Sequence, residues 1–343
     1  MKTILVTGAA GFIGSAFLRL AREKCYNVIA YDKLTYAGHL ANIEEFIDNK
    51  NCVFVHDDIC NYNVVLDTLK KHKVDAIVHF AAESHVDNSI HGPKDFIETN
   101  ILGTFQLLEA ARFYWSNADD DLKKNFRFLH VSTDEVFGEL EATGYFSETS
   151  QYAPNSPYSA SKASSDHLVR AWHHTYKLPT IITNCSNNYG PRQFPEKLIP
   201  RMIESALSAS PLPVYGQGLN VRDWIHVEDH VNGLLLTLEN GKIGDSYCFG
   251  GNSERKNIDV VHSICLILDE LKPSRDNKSY KEQIQFVTDR AGHDWRYAID
   301  SSKVENELKY TRKYKKFEDG LRQTIQWYID NDEWSQTIKE RKK

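Results

Sequence analysis

Six short apolar runs, at 3–7, 27–31, 52–56, 75–81, 127–132 and 180–185, punctuate the first half of the chain with almost no polar interruption. A strand covered on one face alternates apolar and polar residues, whereas one covered on both faces does not, so these runs read as parallel strands in a buried sheet. Between them, at 13–24, 61–71, 95–115 and 158–177, apolar residues recur at helical spacing. Strand, helix, strand in that order predicts βαβ units wound into one parallel sheet with helices on both faces. The expected class is α/β, a doubly wound sheet.

Beyond residue 186 the rhythm breaks. Pro191, Pro195, Pro200, Pro211 and Pro213 punctuate the chain and the strand-like runs become short and sparse. A chain of 343 residues is about 2.3 typical domain lengths. The expected division is a sheet domain at 1–186 and a smaller α/β lobe at 187–343, with a return to the first domain near 224–250. The net charge of −6 argues against a nucleic-acid surface, which needs a basic face to meet phosphates. No apolar run approaches the length of a membrane span. The opening Met1–Gly8 has only Ile4, Leu5 and Val6 as an apolar core, too short for a targeting segment. None of Cys25, Cys52, Cys60, Cys185, Cys248 and Cys265 forms a C-x-x-C pair, so no zinc knuckle is expected and no metal is assigned. A reduced, cytoplasmic chain is the expectation. The charged tail at 339–343 reads as frayed.

Gly8-Ala9-Ala10-Gly11-Phe12-Ile13-Gly14 follows the first strand and opens a helix. Glycines there allow a tight turn and let backbone approach a pyrophosphate, whose charge is favoured at a helix N-terminus. A plain turn is the bland alternative, and the position between strand and helix argues against it. The sheet domain is therefore read as Rossmann-type. Asp32 ends the second strand, where a carboxylate accepts from ribose hydroxyls and repels a 2′-phosphate, favouring NAD over NADP; the neighbouring Lys33 softens that preference. Asp57-Asp58-Ile59 and Phe80-Ala81-Ala82-Glu83-Ser84 fall at the carboxyl ends of the third and fourth strands, where ligands of such sheets bind.

Tyr158 and Lys162 are four apart on a predicted helix, so phenol and ammonium share a face and the cation favours a phenolate base. Ser132-Thr133-Asp134-Glu135-Val136-Phe137-Gly138 directly follows the fifth strand. Thr133 can hold the oxygen that Tyr158 deprotonates. Adjacent acids at a strand end, one protonated and one ionised, form an acid–base pair suited to eliminating water, although a solvated polar loop would carry the same letters. Lys197, Arg222 and Arg290 offer cations for a diphosphate in an otherwise acidic chain.

These motifs, with Ala81-Ala82-Glu83-Ser84-His85-Val86-Asp87, Ser156–His167 and Asn184–Pro191, resemble the extended short-chain dehydrogenases/reductases, and within them the dTDP-glucose 4,6-dehydratases. The similarity runs from Thr3 to about residue 330, and Pro195–Pro200, Arg222-Asp223-Trp224 and Asp289–Asp294 fit the same pattern. Thr133-Asp134-Glu135 is its most specific part, since the related sugar-nucleotide epimerases generally lack the acid pair. Phe137 departs from the tyrosine of many relatives, and the 139–150 connection looks shorter than in some.

The resemblance implies a catalytic set of Thr133, Asp134, Glu135, Tyr158 and Lys162 working on a bound NAD. Carbon 4 of dTDP-glucose is oxidised, Glu135 removes the carbon 5 proton, Asp134 protonates the departing carbon 6 hydroxyl, and hydride returns to carbon 6. It further implies that Gly8, Gly11, Phe12, Ile13, Gly14, Asp32, Lys33, Leu34, Thr35, Asp58, Ile59, Phe80, Ala81, Ala82, Ser84, Thr99, Tyr158, Lys162 and Asn188 meet the cofactor. The nucleotide sugar would meet Ser84, Thr133, Asn187, Lys197, Leu198, Pro213, Tyr215, Arg222, Asn257, Asp289, Arg290 and His293, with Tyr215 against the base. UDP-glucose with the same chemistry, or a 4-epimerisation, are the alternatives. His85 and His226 are read as structural. A homodimer is expected, pairing the 95–115 and 158–177 helices across a two-fold axis, with no nucleic acid and no membrane as partners.

Overall fold

The structure, a computed structural model, describes residues 2–289 and 293–340. Its strands are β1 (Thr3–Thr7), β2 (Asn27–Asp32), β3 (Cys52–His56), β4 (Ala76–His79), β5 (Arg127–Thr133), β6 (Thr180–Cys185), β7 (Asn187–Tyr189), β8 (Leu212–Tyr215), β9 (Val221–His226), β10 (Ser246–Phe249), β11 (Glu254–Lys256) and β12 (Ile284–Val287). Seven form one sheet in the order β10-β6-β5-β4-β1-β2-β3, every pairing parallel. This is the doubly wound α/β sheet that the apolar runs predict. Its order reverses between β1 and β4, which is where a crevice opens at the strands' carboxyl ends.

Apolar side chains cover both faces. Phe17, Leu18, Val231 and Leu234 belong to the core on one side; Leu66, Leu107, Leu108 and Val169 belong to the core on the other. The helix Val227–Asn240 packs on the helix Phe12–Glu23, and β10 then pairs with β6 as the edge strand. The second lobe has its own core, built on Ile199, Met202, Ile203, Val260, Ile264, Leu321 and Ile325. Two small sheets accompany it, β11-β9-β7 and β12-β8.

The expected continuous helix over 95–115 is interrupted. A short helix Pro93–Phe96 runs into wide, π-type turns at Ile97–Gly103 before the regular helix Thr104–Ser116. The cause is Asn100. Its Oδ1 accepts from the Glu83 N–H at 2.8 Å, while its Nδ2 donates to the Glu83 carbonyl at 3.0 Å and to Ser161 Oγ at 2.8 Å. Those bonds widen the helix towards the sheet, as such bulges do at functional sites. The helix Pro157–Tyr176 starts cleanly because Ser156 caps it reciprocally with Ser159 and Pro157 fills the first turn.

Candidate active site

The turn after β1 determines what the crevice accepts. Gly8 has φ +67, and a Cβ there would lie 2.7 Å from the Ala81 nitrogen. A Cβ on Gly14 would lie 2.0 Å from the Gly8 carbonyl oxygen. The glycines therefore bring the backbones after β1 and β4 together at the point where the strand order reverses. The following helix begins at Gly11 with no side-chain cap, leaving its first N–H groups to an anion.

Asp32, at the end of β2, is 8% exposed. Its carboxylate accepts from the Ala10 N–H at 2.8 Å and the Leu34 N–H at 2.7 Å. Burial raises its pKa, and those two N–H groups pull it back down. Two accepted bonds leave further lone pairs of the carboxylate for ribose hydroxyls. Lys33 reaches Asp58 at 2.7 Å across the ends of β2 and β3. A cleft of about 300 Å³ runs from here to Tyr158, and its lining includes Gly8, Gly11, Phe12, Ile13, Gly14, Asp32, Lys33, Thr35, Asp58, Ile59, Phe80, Ala81, Ala82, Ser84, Thr99 and Asn188. The cradle of Cβ-free backbone and the carboxylate beside it fit a dinucleotide. Leu34 differs from the other predicted contacts: its side chain packs on the core and only its N–H serves the site, through Asp32.

At the far end the cleft is lined by Thr133, Glu135, Tyr158 and Lys162. Lys162 is 5% exposed and donates to the Val131 carbonyl at 3.0 Å. Burial lowers its pKa, and Asp166 works against that. The Asp166 carboxylate is itself held by His130 at 3.0 Å, by Tyr152 at 2.9 Å and by Asn184 at 3.3 Å. Tyr158 is pushed well above its ordinary pKa, first by burial and then by Glu135, with the Thr133 hydroxyl pulling the other way.

Asp134 lies just behind this wall, 2% exposed. Burial and then the charge of Glu135 push its pKa well up, with Arg222 favouring ionisation. Its Oδ1 accepts from Thr133 at 3.3 Å, and its Oδ2 is buried without a hydrogen-bond partner. Adjacent carboxyls thus occupy unlike environments, Asp134 buried behind the wall and Glu135 on the cleft.

The predicted sugar-nucleotide residues divide into groups. Ser84, Thr133, Asn187 and Lys197 line the cleft. Lys197 donates to the Ser84 carbonyl at 2.8 Å, and Asn187 Oδ1 is buried without a partner. Tyr215, Asp289 and His293 gather separately: His293 meets Asp289 at 2.7 Å and faces the Tyr215 ring edge-on at 6.4 Å. Pro213, next to them on β8, pairs in register with Gln285. Arg222 is buried, donating to the carbonyls of Val221 and Asp294 at 2.8 Å with its face on Tyr297. Leu198 and Asn257 begin two helices of the second lobe, and Asn257 Oδ1 is buried without a partner. Arg290 lies outside the described residues.

His85 and His226 each cap a helix N-terminus through Nδ1. Phe137 packs between Phe146 and Tyr152. Sequence reasoning missed Gly38, where a Cβ would lie 2.8 Å from Asp32 Oδ1, and Gln193 and Phe194, which line the cleft from the second half. Gly38 follows the Asp32 turn closely enough to have been suspected. Gln193 and Phe194 sit in an irregular segment with no periodicity to place them.

Residues 5–324 match the family described as GDP-mannose 4,6 dehydratase. The dTDP-glucose 4,6-dehydratase of Shigella flexneri is 54% identical over 346 residues, covering 98% of this chain and 95% of its own. Among solved structures, the dTDP-glucose 4,6-dehydratase of Bacillus anthracis in complex with NAD superposes with a TM-score of 0.86 at 44% identity, covering 98% of this chain and 100% of that one. The Streptomyces venezuelae enzyme of the same name, with NAD and dTDP bound, gives a TM-score of 0.87 at 44% identity, covering 97% and 98%.

Proposed function

Because the chain belongs to the GDP-mannose 4,6-dehydratase family, we propose that it is an NAD-dependent hydro-lyase that converts dTDP-glucose to dTDP-4-keto-6-deoxyglucose. The observation that carries this reading is the pair Asp134–Glu135, one carboxyl buried as an acid and the next facing the cleft beside Tyr158. Oxidation or epimerisation at one carbon needs a single base; removing water across two carbons needs a base and a separate acid.

Gly8, Gly11 and Gly14 bind the cofactor's pyrophosphate and Asp32 its ribose. NAD, when bound, supplies a reversible hydride store, so that the sugar leaves with no net change of oxidation state. Thr133 holds the carbon 4 oxygen while Tyr158 takes its proton, with Lys162 fixing the phenol's surroundings from its anchor on Val131. The ketone at carbon 4 acidifies carbon 5. Glu135 takes that proton, and Asp134 gives its own to the carbon 6 hydroxyl, which departs as water. Glu135 then returns its proton to carbon 5. Asn187 and Lys197 orient the nucleotide, and Arg222 is among the cations offered to its diphosphate. Tyr215, Asp289 and His293 form the base end.

The protein acts as a homodimer in the cytoplasm. Support for the dimer comes from Ile97, Leu102, Phe113 and Tyr176, which are exposed on the expected helices at 50, 51, 44 and 43%. Support for the compartment comes from the six cysteines, all unpaired. No helix among the described residues is long and apolar enough to cross a bilayer.

The test is the product. Protein incubated with NAD and dTDP-glucose yields a nucleotide sugar lighter by one water and bearing a 4-keto group. Unchanged dTDP-glucose, its 4-epimer, or faster turnover of UDP-glucose overturns the assignment.

A further inference from the structure

The last described helices reach back to the cofactor turn along two separate routes. Trp334, in the helix Asp332–Glu340, donates its indole N–H to Asn42 Oδ1 at 2.9 Å. Asn42 is 1% exposed and donates its own Nδ2 to the Ala10 carbonyl at 2.8 Å. Ala10 lies inside the glycine turn, and its N–H donates to Asp32. Residue 334 is thus joined in three hydrogen bonds to the carboxylate that the proposed ribose meets.

The second route starts from Tyr328, in the helix Phe317–Asp330. Its hydroxyl donates to the Gln193 carbonyl at 2.6 Å, and Gln193 Nε2 donates to the Asn188 carbonyl at 2.9 Å. Gln193 and Asn188 also line the cleft. The routes share an aromatic base, since the rings of Trp327, Tyr328 and Trp334 pack on one another at 5.1–6.1 Å. Arg192 joins them, lying over Trp327 at 5.4 Å and reaching Glu45 at 3.3 Å.

We propose that this carboxyl-terminal hairpin is a clasp that retains the cofactor, with Trp334 and Tyr328 as positioning residues acting through Asn42 and Gln193. The idea rests on the cleft being the NAD site. A buried amide whose oxygen loses its donor is left unpaired, which costs more than the bond itself contributed. Removing the indole N–H therefore loosens Asn42 from the turn that it braces, and removing the Tyr328 hydroxyl frees the 188–193 segment. A brace that only held the second lobe together would influence stability and leave cofactor release alone.

Release is read by loading the holoenzyme with labelled NAD and chasing with unlabelled NAD, beside Trp334→Phe, Tyr328→Phe and the double variant. Each substitution keeps a ring and removes one donor. Release is expected to accelerate about tenfold for each, the worth of one lost hydrogen bond, and multiplicatively in the double variant because the routes are separate. The loss appears in NAD retention and in the KM for NAD rather than in kcat. Gln326→Ala, on the exposed side of the same helix, releases NAD at the wild-type rate. Unchanged release from both single variants overturns the clasp, whatever happens to their melting temperatures. A wild-type protein that holds no NAD overturns the cofactor reading and the clasp together. If Trp334→Phe does not fold, Tyr328→Phe decides alone.

Discussion

Asp134 sits beside Glu135 behind the wall of the cleft, so ionising both carboxyls costs more than ionising one. Burial first, and then the charge of Glu135, raises the pKa of Asp134. Asp134→Asn keeps a neutral group of the same shape and removes the transferable proton. Elimination is expected to slow by about 10²–10⁴-fold, the usual worth of a general acid, while carbon 4 oxidation slows far less. Single-turnover traces that follow the reduced cofactor's absorbance separate the two steps, and equal slowing of both removes the role given to Asp134. The same residue predicts a pH effect on stability. Its folded pKa lies above the ordinary carboxylate value, so above that value the folded state binds a proton that the unfolded state does not. That contribution is present at low pH and disappears as pH rises through the folded pKa. The melting temperature of Asp134→Asn minus that of wild type should therefore grow from pH 5 to pH 8; a flat difference means the carboxyl is not protonated in the fold.

At the level of elements, the turn from β1 into its helix has no spare room. A Cβ on Gly14 meets the Gly8 carbonyl oxygen at 2.0 Å, and the backbone must shift to admit it. Gly14→Ala is expected to cost about 1–3 kcal/mol, as overpacking does, and to abolish NAD binding because the shift closes the phosphate cradle. Urea unfolding and NAD titration measure the two effects. Gly92→Ala is the control, since its nearest contact is 3.7 Å. The glycines, the apolar runs and the adjacent acids were legible in the sequence because each acts over a few neighbouring residues. The wide turns at Ile97–Gly103 were not: Asn100 is drawn out of regular helix by Glu83 and Ser161, partners 17 and 61 residues away. The role of Asp134 as the acid came from the resemblance; the burial that raises its pKa is something spacing does not report.

At the scale of the whole molecule, the site sits between the carboxyl ends of the sheet and a lobe that holds its own core, and its reactive side chains come from β5 and the helix Pro157–Tyr176. The outer faces of that helix and of the 97–116 segment carry Leu102, Phe113 and Tyr176 in the open. With Ile97, these make four large apolar groups exposed along neighbouring helices, more than isolated surface leucines explain, and such patches mark interfaces. In the homodimer proposed above, a two-fold pairing of these helices would bury them and stiffen the same wide turns that carry Thr99 into the cleft. Leu102→Glu places a charge at the centre of that face and is expected to give a monomer by sedimentation, with a lowered melting temperature and weakened NAD binding through Thr99. Leu266→Glu, equally exposed at 51% but on the second lobe, should leave the sedimenting species unchanged. A wild-type monomer, or a dimer indifferent to Leu102→Glu, assigns the exposed apolar face to something other than a second copy of the chain.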